Sequence, residues 1–106
     1  MQEMTWTKAE KAAARLAFQR AYERECEALA GEVRAMLSSL REPRDIWRVH
    51  DFLTERRKTT DEKYDYRYSV LVLVLARLLR EGWLREEEIA ALSEEKLERI
   101  RSILCL

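Results

Sequence analysis

The sequence predicts an all-helical protein, and three of its features carry that prediction. The 106 residues include only two glycines and one proline, so few turns can be built from the residues that favour them. Charged residues make up 38% of the chain, as is typical of long amphipathic helices. The longest apolar run, Val70 to Ala76, could be a buried strand, but no second strand is available to pair with it. We therefore expect this run to be a buried helix within a single helical domain spanning residues 1–106.

The first helix is predicted over about residues 5–40. Thr7 and Glu10 have the spacing of a capping box, and Trp6 precedes them as a hydrophobic staple. Gly31 inside the helix is tolerated at a cost of roughly 1 kcal/mol. A helix of about 33 residues spans roughly 50 Å, whereas a compact chain of this length has a diameter of about 35 Å. We therefore expect the first helix to protrude from the rest of the protein.

An apolar seam follows the second half of this helix, with the alternating spacing of a coiled-coil heptad. Its members are Tyr22, Cys26, Leu29, Val33, Met36 and Leu40. Ordinary packing within one chain is one interpretation of the seam. The alternative is a homodimer, because an apolar seam on a protruding helix needs a partner and a second copy is the simplest one. The homodimer interpretation assigns four of these residues to the dimer interface, namely Leu29, Val33, Met36 and Leu40.

The second and third helices are predicted from the residues that end them. Pro43 fits the first position of the second helix, over about residues 43–58, with Glu42 as a weak cap. Asp61 could cap a third helix that contains the apolar run and ends at Gly82.

Two shorter helices are expected near the end of the chain. Glu86, Glu87 and Glu88 suit the start of a fourth helix, because carboxylates interact favourably with a helix N-terminus. Ser93 can cap a fifth helix. The apolar face of that helix consists of Leu97, Ile100, Ile103 and Leu104.

Charge and cysteine content argue against several classes of function. Twenty Lys and Arg balance twenty Asp and Glu along the whole chain, so no segment has the basic excess that binds nucleic acid or an anionic membrane. The apolar run is far too short for membrane insertion. Cys26 and Cys105 are isolated, which suggests a reducing compartment. Since the start of the sequence has no signal-peptide pattern, we expect a cytoplasmic protein.

The sequence offers no constellation for catalysis or metal binding. His50 is the one histidine, and both cysteines lie on other predicted elements, so a Ser-His-Asp or Cys-His unit is not evident. Two glycines cannot form a phosphate-binding loop. The many carboxylate pairs are explained by solvated helix faces. We therefore expect a non-enzymatic protein with no catalytic residues, no metal and no cofactor.

The second helix carries the most informative surface. At about 100° per residue, Trp47 leaves the apolar stripe of this helix and lies among polar side chains. The stripe consists of Ile46, Val49 and Leu53, and the polar neighbours are His50, Asp51, Thr54 and Arg57. In one interpretation Trp47 packs under a neighbouring helix and the polar groups are solvated. In the other this face binds a protein, because Trp and Arg are the residue types most enriched in binding hot spots.

The same stretch carries a resemblance to a known family. The chain resembles the fluorescence recovery protein family in Ile46-Trp47-Arg48-Val49-His50-Asp51-Phe52-Leu53, then Arg57, Lys63-Tyr64-Asp65 and Arg67-x-Ser69-Val70. The resemblance continues through the apolar run and Leu78-Leu79-Arg80-Glu81-Gly82. The N-terminal part of the family's sequences is matched by Trp6, Phe18 and Ala21-Tyr22-Glu23-Arg24-Glu25. Nearly the whole chain is covered, and the order and spacing of these motifs together are quite specific.

The resemblance implies an all-helical homodimer with a long stalk helix and a small head, the head helices lying within residues 61–106. It implies a cytoplasmic regulator of cyanobacterial photoprotection that binds the photoactivated orange carotenoid protein, chiefly its C-terminal domain. Binding would promote detachment from the phycobilisome and return to the inactive orange state, which ends non-photochemical fluorescence quenching. The functional positions that match are Trp47, His50, Asp51 and Arg57. The resemblance also brings Ile46 and Leu53 into the dimer interface.

Two head positions are further candidates for partner contact. The family often carries aromatic residues where this chain has Leu71, Leu73 and Leu75, and it tends to have a basic residue at the position of Arg99. Leu73 and Arg99 are therefore the candidate head contacts. Relatives of this family occur outside phycobilisome-containing cells. The alternative function is thus a helical, dimeric interaction or signalling module that serves a different partner.

Overall fold

The computed structural model describes residues 4–106 and confirms that the protein is all-helical, with no strand in this range. Four α-helices follow one another: α1 (Lys8–Ser38), α2 (Ile46–Lys63), α3 (Leu71–Arg80) and α4 (Glu94–Leu104). Short 3₁₀ turns precede α2 at Pro43–Asp45 and α4 at Glu86–Ile89. The molecule is elongated, with extents of 54 × 27 × 27 Å.

The capping box predicted at the start of α1 is present. The Thr7 hydroxyl accepts a hydrogen bond from the Glu10 backbone N–H at 3.1 Å, and the Glu10 carboxylate accepts one from the Thr7 N–H at 2.9 Å. With 31 residues, α1 is about 46 Å long and follows most of the long axis of the molecule.

Only the first half of α1 is packed into a core. The buried alanines Ala14, Ala17 and Ala21 belong to the apolar core of the head. Between Cys26 and Ser38, by contrast, no residue of α1 is buried. The head is therefore formed by residues 4–25 and 64–106, and the stalk by residues 26–63.

The head core is built by α3 and α4 packing on the first half of α1. Its largest fully buried side chains are Leu71, Leu75, Leu78 and Ile100. The predicted stop at Gly82 is confirmed, because this glycine has a φ of 84° that few other residues adopt without strain. The predicted cap of α4 is also present: the Ser93 hydroxyl accepts a hydrogen bond from the Lys96 backbone N–H at 3.3 Å.

In the stalk, α2 returns antiparallel along the second half of α1. An ion pair joins Arg56 to Glu32 at 3.0 Å, and another joins Lys63 to Glu25 at 2.6 Å where the stalk meets the head. Val49 is the one buried apolar side chain of α2.

The predicted boundaries of the second and third helices were wrong. The second helix does not end near residue 58 but continues to Lys63, and Asp61 lies inside it rather than capping a third helix. The third helix begins only at Leu71. Residues 64–70 between them are not helical, because their tyrosines pack on α1, and this tertiary packing overrides helix propensity. We call this segment the strap.

Three smaller expectations also need correction. Pro43 begins a 3₁₀ turn, and α2 follows only at Ile46. Glu42 makes no side-chain cap there; instead the Asp45 carboxylate accepts hydrogen bonds from the Arg41 and Glu42 N–H groups at 3.1 and 3.0 Å. The expected fourth helix is a single 3₁₀ turn, Glu86–Ile89.

Candidate functional site

Trp47 lies on the outside of the stalk, near the turn that joins α1 to α2. Its side chain is 64% exposed, so the interpretation in which it packs under a neighbouring helix was wrong for the single chain. Its nearest aromatic neighbour is the His50 ring, in a T-shaped arrangement with the centroids 6.1 Å apart. An exposed Trp of this kind can bury a large apolar area when a partner binds.

The polar neighbours of Trp47 are held by local contacts on the same helix. The His50 Nδ1 atom lies 3.3 Å from an Asp51 carboxylate oxygen, and the Arg57 guanidinium lies 3.6 Å from Asp61. The hydroxyl of Thr54 donates to the His50 carbonyl at 2.9 Å. Exposed ion pairs of this kind contribute little to stability. These side chains can therefore exchange their local partners for groups on another protein.

We call Trp47, His50, Asp51 and Arg57 the α2 patch. A shallow groove runs beside it, lined by His50, Leu53, Thr54, Arg57, Lys58 and Asp61. At about 1.5 Å of rise per residue, Trp47 and Arg57 are roughly 15 Å apart along the helix. The patch thus presents apolar area at the tip of the stalk and charge closer to the head.

The predicted dimer-interface residues fall into two groups. Leu29, Val33 and Met36 are half-buried, because α2 of the same chain covers part of the seam. The second group is exposed on the outside of the stalk: Leu40 at 36%, Ile46 at 40% and Leu53 at 37%. Packing within one chain accounts for part of the seam, and the assignment of these six residues to a dimer interface stays a prediction.

The candidate head contacts do not join the α2 patch. Leu73 is 56% exposed on α3, and Arg99 is exposed on α4, the helix against which α3 packs. Both belong to the head, whereas the α2 patch belongs to the stalk. The chain therefore presents two separate candidate contact regions.

A buried charged cluster attaches the end of α2 to the head. The Lys63 ammonium donates to Glu25 and to Glu81, at 2.6 Å in both cases, and the Tyr64 hydroxyl donates to Glu25 at 2.8 Å. Burial and the neighbouring Glu25 raise the pKa of Tyr64. Burial opposes ionisation of Glu81, yet hydrogen bonds from Lys63 and Arg77 lower its pKa. The cluster links the middle of α1, the end of α2 and the residue after α3.

Sequence reasoning missed this cluster, although the sequence carried a signal for it. Glu25 continues the spacing of Ala14, Ala17 and Ala21, which places a carboxylate on the buried face of α1. A carboxylate on such a face needs a buried cation. The sequence alone could not say that Lys63 would be the cation.

A second buried ion pair joins the two ends of the head. The Lys96 ammonium lies 3.1 and 3.2 Å from the two carboxylate oxygens of Glu10, which also accepts from the Ser93 N–H at 2.8 Å. Burial would raise the pKa of Glu10, but the Thr7 and Ser93 N–H groups and Lys96 together lower it to about 2. One carboxylate thereby stabilises the starts of both α1 and α4.

Within residues 4–106, no group of three His, Cys, Asp or Glu side chains is placed to hold a metal ion. His50 lies on α2 beside Asp51, and Cys26 is half-buried on α1. Over the same range, every helix is too short or too polar to cross a bilayer.

Comparison with known proteins matches almost the whole chain. Residues 6–104 match the family model described as photoprotection regulator fluorescence recovery protein. The fluorescence recovery protein of Synechocystis sp. (strain ATCC 27184 / PCC 6803 / Kazusa) is 39% identical over 101 residues, which is 95% of this chain and 93% of that protein. Two solved structures superimpose with a TM-score of 0.88, covering 96% of this chain and 100% of theirs. They are the fluorescence recovery proteins of Fremyella diplosiphon, at 45% identity, and Synechocystis sp. PCC 6803, at 38%.

Proposed function

The chain belongs to the fluorescence recovery protein family, a family of photoprotection regulators, and we propose that it acts by binding the photoactivated orange carotenoid protein. Binding to the C-terminal domain of that partner promotes its detachment from the phycobilisome and its return to the inactive orange state. Fluorescence quenching ends as a result. As proposed, the regulator works in the cytoplasm and performs no covalent chemistry of its own.

The observation that carries this proposal is the exposure of the α2 patch. Trp47 is 64% exposed, and the polar side chains of the patch make only weak surface pairs on the same helix. A large aromatic side chain beside exchangeable charges is the composition of a protein-binding hot spot. The patch also coincides with the residues through which the sequence resembles its family.

A binding protein can drive a conformational return only through differential affinity. It must bind the product state, or the transition state of the return, more tightly than the photoactivated state. The equilibrium between the two states shifts by no more than the difference in binding free energy. In our proposal Trp47 supplies area that is desolvated on binding, whereas Asp51 and Arg57 fix orientation through charge-assisted hydrogen bonds.

We also propose that the active form is a homodimer formed through the stalk. This is supported by the exposed apolar side chains along one stretch of stalk: Leu37, Leu40, Ile46 and Leu53. Their exposure leaves apolar area that a second copy would cover. In such a dimer the α2 patch has two ways of acting. It contacts the carotenoid protein directly, or it holds the paired helices in the shape that the partner recognises.

The test is a recovery experiment with purified components. Photoactivated orange carotenoid protein is mixed with this protein, and the return of its orange absorbance is timed in the dark. We expect faster recovery, and we expect the Trp47→Ala variant to accelerate it less. Arg34→Ala is the matched control, because Arg34 is exposed on the stalk outside the patch.

Two results would contradict the proposal. Recovery at the unassisted rate in the presence of the wild-type protein would exclude this partner, and the alternative of a module serving a different partner would take its place. Equal acceleration by the wild type and Trp47→Ala would show instead that the α2 patch is not the working surface. The head region around Leu73 and Arg99 would then be examined by the same assay.

A further inference from the structure

The strap brings a row of aromatic rings onto the face of α1 that lies in the head. Neighbouring ring centroids are 4.8–5.6 Å apart. In spatial order the row consists of Trp6, Tyr68, Tyr66, Phe18, Tyr64 and Tyr22. Lys96 and Lys63 lie over Trp6 and Tyr64, but both lysines are buried and paired with carboxylates. Tyr66 and Tyr68 differ, because the two cationic side chains of α1 that lie over them are exposed.

These cations are held in place by the rings. The Arg15 guanidinium carbon lies 3.8 Å from the Tyr66 ring centroid, and the Lys11 ammonium lies 5.3 Å from that of Tyr68. Both are within the range of a cation–π interaction. A guanidinium stacked on a ring keeps its N–H edge available, and that edge fits a carboxylate. We call Lys11, Arg15, Tyr66 and Tyr68 the cationic strip.

The charge of the cationic strip is not neutralised within the head. No carboxylate of residues 4–106 lies within 4.0 Å of the Lys11 or Arg15 charge, and both side chains are exposed. The carboxylates nearest in sequence are already engaged. Glu10 pairs with Lys96 in the core, and Asp65 pairs with Arg67 at 2.6 Å.

We propose that the cationic strip is a further contact surface, and that it binds an acidic segment of a partner protein. The strip combines preorganised positive charge with aromatic area, including Tyr68 at 41% exposure. This combination suits carboxylates that stand next to apolar side chains. Nucleic acid is the poorer fit, because its affinity rises with the number of phosphates neutralised, and the strip offers two cations. The inference goes beyond the proposed function, since the strip lies in the head and does not depend on the identity of the stalk's partner.

The experiment uses a fluorescent peptide of about twelve residues in which Glu alternates with Leu, and a control peptide with Gln in place of Glu. Binding to the full-length protein is followed by fluorescence anisotropy at ionic strengths of about 20 and 150 mM. We expect the acidic peptide to bind more tightly than the Gln peptide, and more weakly at the higher ionic strength. Replacing Lys11→Gln and Arg15→Gln together should weaken binding about tenfold, the combined worth of two exposed ion pairs.

Three further variants separate the strip from general electrostatics and from folding. The double variant Arg34→Gln with Arg41→Gln removes the same charge from exposed stalk positions, and it should keep wild-type affinity. Tyr66→Phe keeps the ring beneath Arg15 and should bind the acidic peptide with wild-type affinity. Tyr66→Leu removes the ring and should weaken binding. Circular dichroism should show that the helix content of both variants is unchanged.

The proposal is overturned by any of four results. The first two are equal affinity for the Glu and Gln peptides, and no detectable binding of the Glu peptide. The third is an equal loss of peptide affinity in the two double variants. The fourth is tighter binding of a short DNA duplex than of the acidic peptide. Salt-sensitive self-association that is lost in the Lys11 and Arg15 double variant would assign the strip to a second copy of the chain, and it too would overturn the proposal.

Discussion

The two halves of α1 belong to one continuous helix but lie in different surroundings. In the head half, Ala14, Ala17 and Ala21 are completely or almost completely buried. In the stalk half no side chain is buried, and Leu37 is 44% exposed. Packing within the chain therefore buries one face of the head half of α1, whereas the stalk half has no buried face.

The boundary between the two parts is made of charges rather than apolar side chains. Lys63 is 5% exposed and contacts Glu25 and Glu81, so α2 is attached to the head by directional hydrogen bonds. Removing one partner from such a cluster would leave a buried charge uncompensated. The position of the end of α2 on the head is thus specified by a few polar contacts.

The head core should be the most sensitive part of the molecule to truncation. Leu75→Ala removes a fully buried side chain and should lower the free energy of unfolding by about 2–5 kcal/mol. Urea denaturation followed by circular dichroism at fixed protein concentration measures this. Leu73→Ala on the same helix is the matched control, and its effect should stay within about 0.5 kcal/mol because Leu73 is 56% exposed. Equal destabilisation by both variants would contradict the assignment of the core.

The stalk should respond to a different change, and in a different measurement. Ile46→Glu leaves the single chain little affected, because Ile46 is 40% exposed, but it places a carboxylate in the proposed dimer interface. Burying that charge without a partner would cost several kcal/mol. Light scattering after size exclusion should therefore show a dimer for the wild type and a monomer for the variant.

Leu73→Glu serves as the control in that experiment, since it adds the same charge to the head and should leave the dimer intact. If the Ile46→Glu variant is still a dimer, α2 is not part of the dimer interface. If the wild-type protein is monomeric at every concentration, the homodimer proposal is wrong.

The sequence predicted the elements whose ends carry strong local signals. The capping box at Thr7, the stop at Gly82 and the cap at Ser93 were all found, because each depends on one or two residues acting on neighbouring backbone groups. The strap was missed since it contains neither Gly nor Pro. Its signal was the alternation of Tyr64, Tyr66 and Tyr68 with charged residues, a period of two that does not suit a helix.

The candidate site was predicted only in part, for a similar reason. The position of Trp47 outside the apolar stripe follows from helix geometry on one element, and the structure shows the side chain exposed. Contacts between distant elements do not follow from such periodicity. Arg15 over Tyr66 and Lys63 beside Glu25 depend on how α1 meets the strap and α2, which no local pattern encodes.

Acid should weaken the head through Glu10. The pKa of Glu10 is lowered from 4.5 to about 2 in the folded protein, so the folded state favours the ionised carboxylate. Its contribution is fully present above about pH 4.5 and is lost as the pH falls toward 2. Between about pH 6 and about pH 3 this group should account for a loss on the order of 2 kcal/mol.

Comparison with Glu10→Gln isolates this effect from the other carboxylates. The variant should be less stable than the wild type near neutral pH, and the difference between the two should shrink as the pH falls through this window. Urea midpoints at several pH values measure the difference. If the difference in stability between the two proteins stays constant with pH, Glu10 is not responsible for the pH dependence of the free energy of unfolding.

The smallest expected effect is at the exposed edge of the α2 patch, and it separates the two ways in which the patch can act. Arg57→Leu removes a guanidinium that is 83% exposed and whose ion pair with Asp61 is long, at 3.6 Å. Recovery of the carotenoid protein should therefore slow, with a loss of affinity of about tenfold, at the low end for a charged hydrogen bond because the site is solvated.

If Arg57 contacts the partner directly, the variant remains a folded dimer and only affinity and recovery rate fall. If Arg57 supports the dimer, its molecular mass or helicity falls together with activity. Arg34→Leu removes the same positive charge from an exposed stalk position outside the patch. It should alter neither affinity and recovery rate nor molecular mass and helicity. Full activity in Arg57→Leu would limit the working surface to the region around Trp47. The charged half of the patch would then be a solvated helix face.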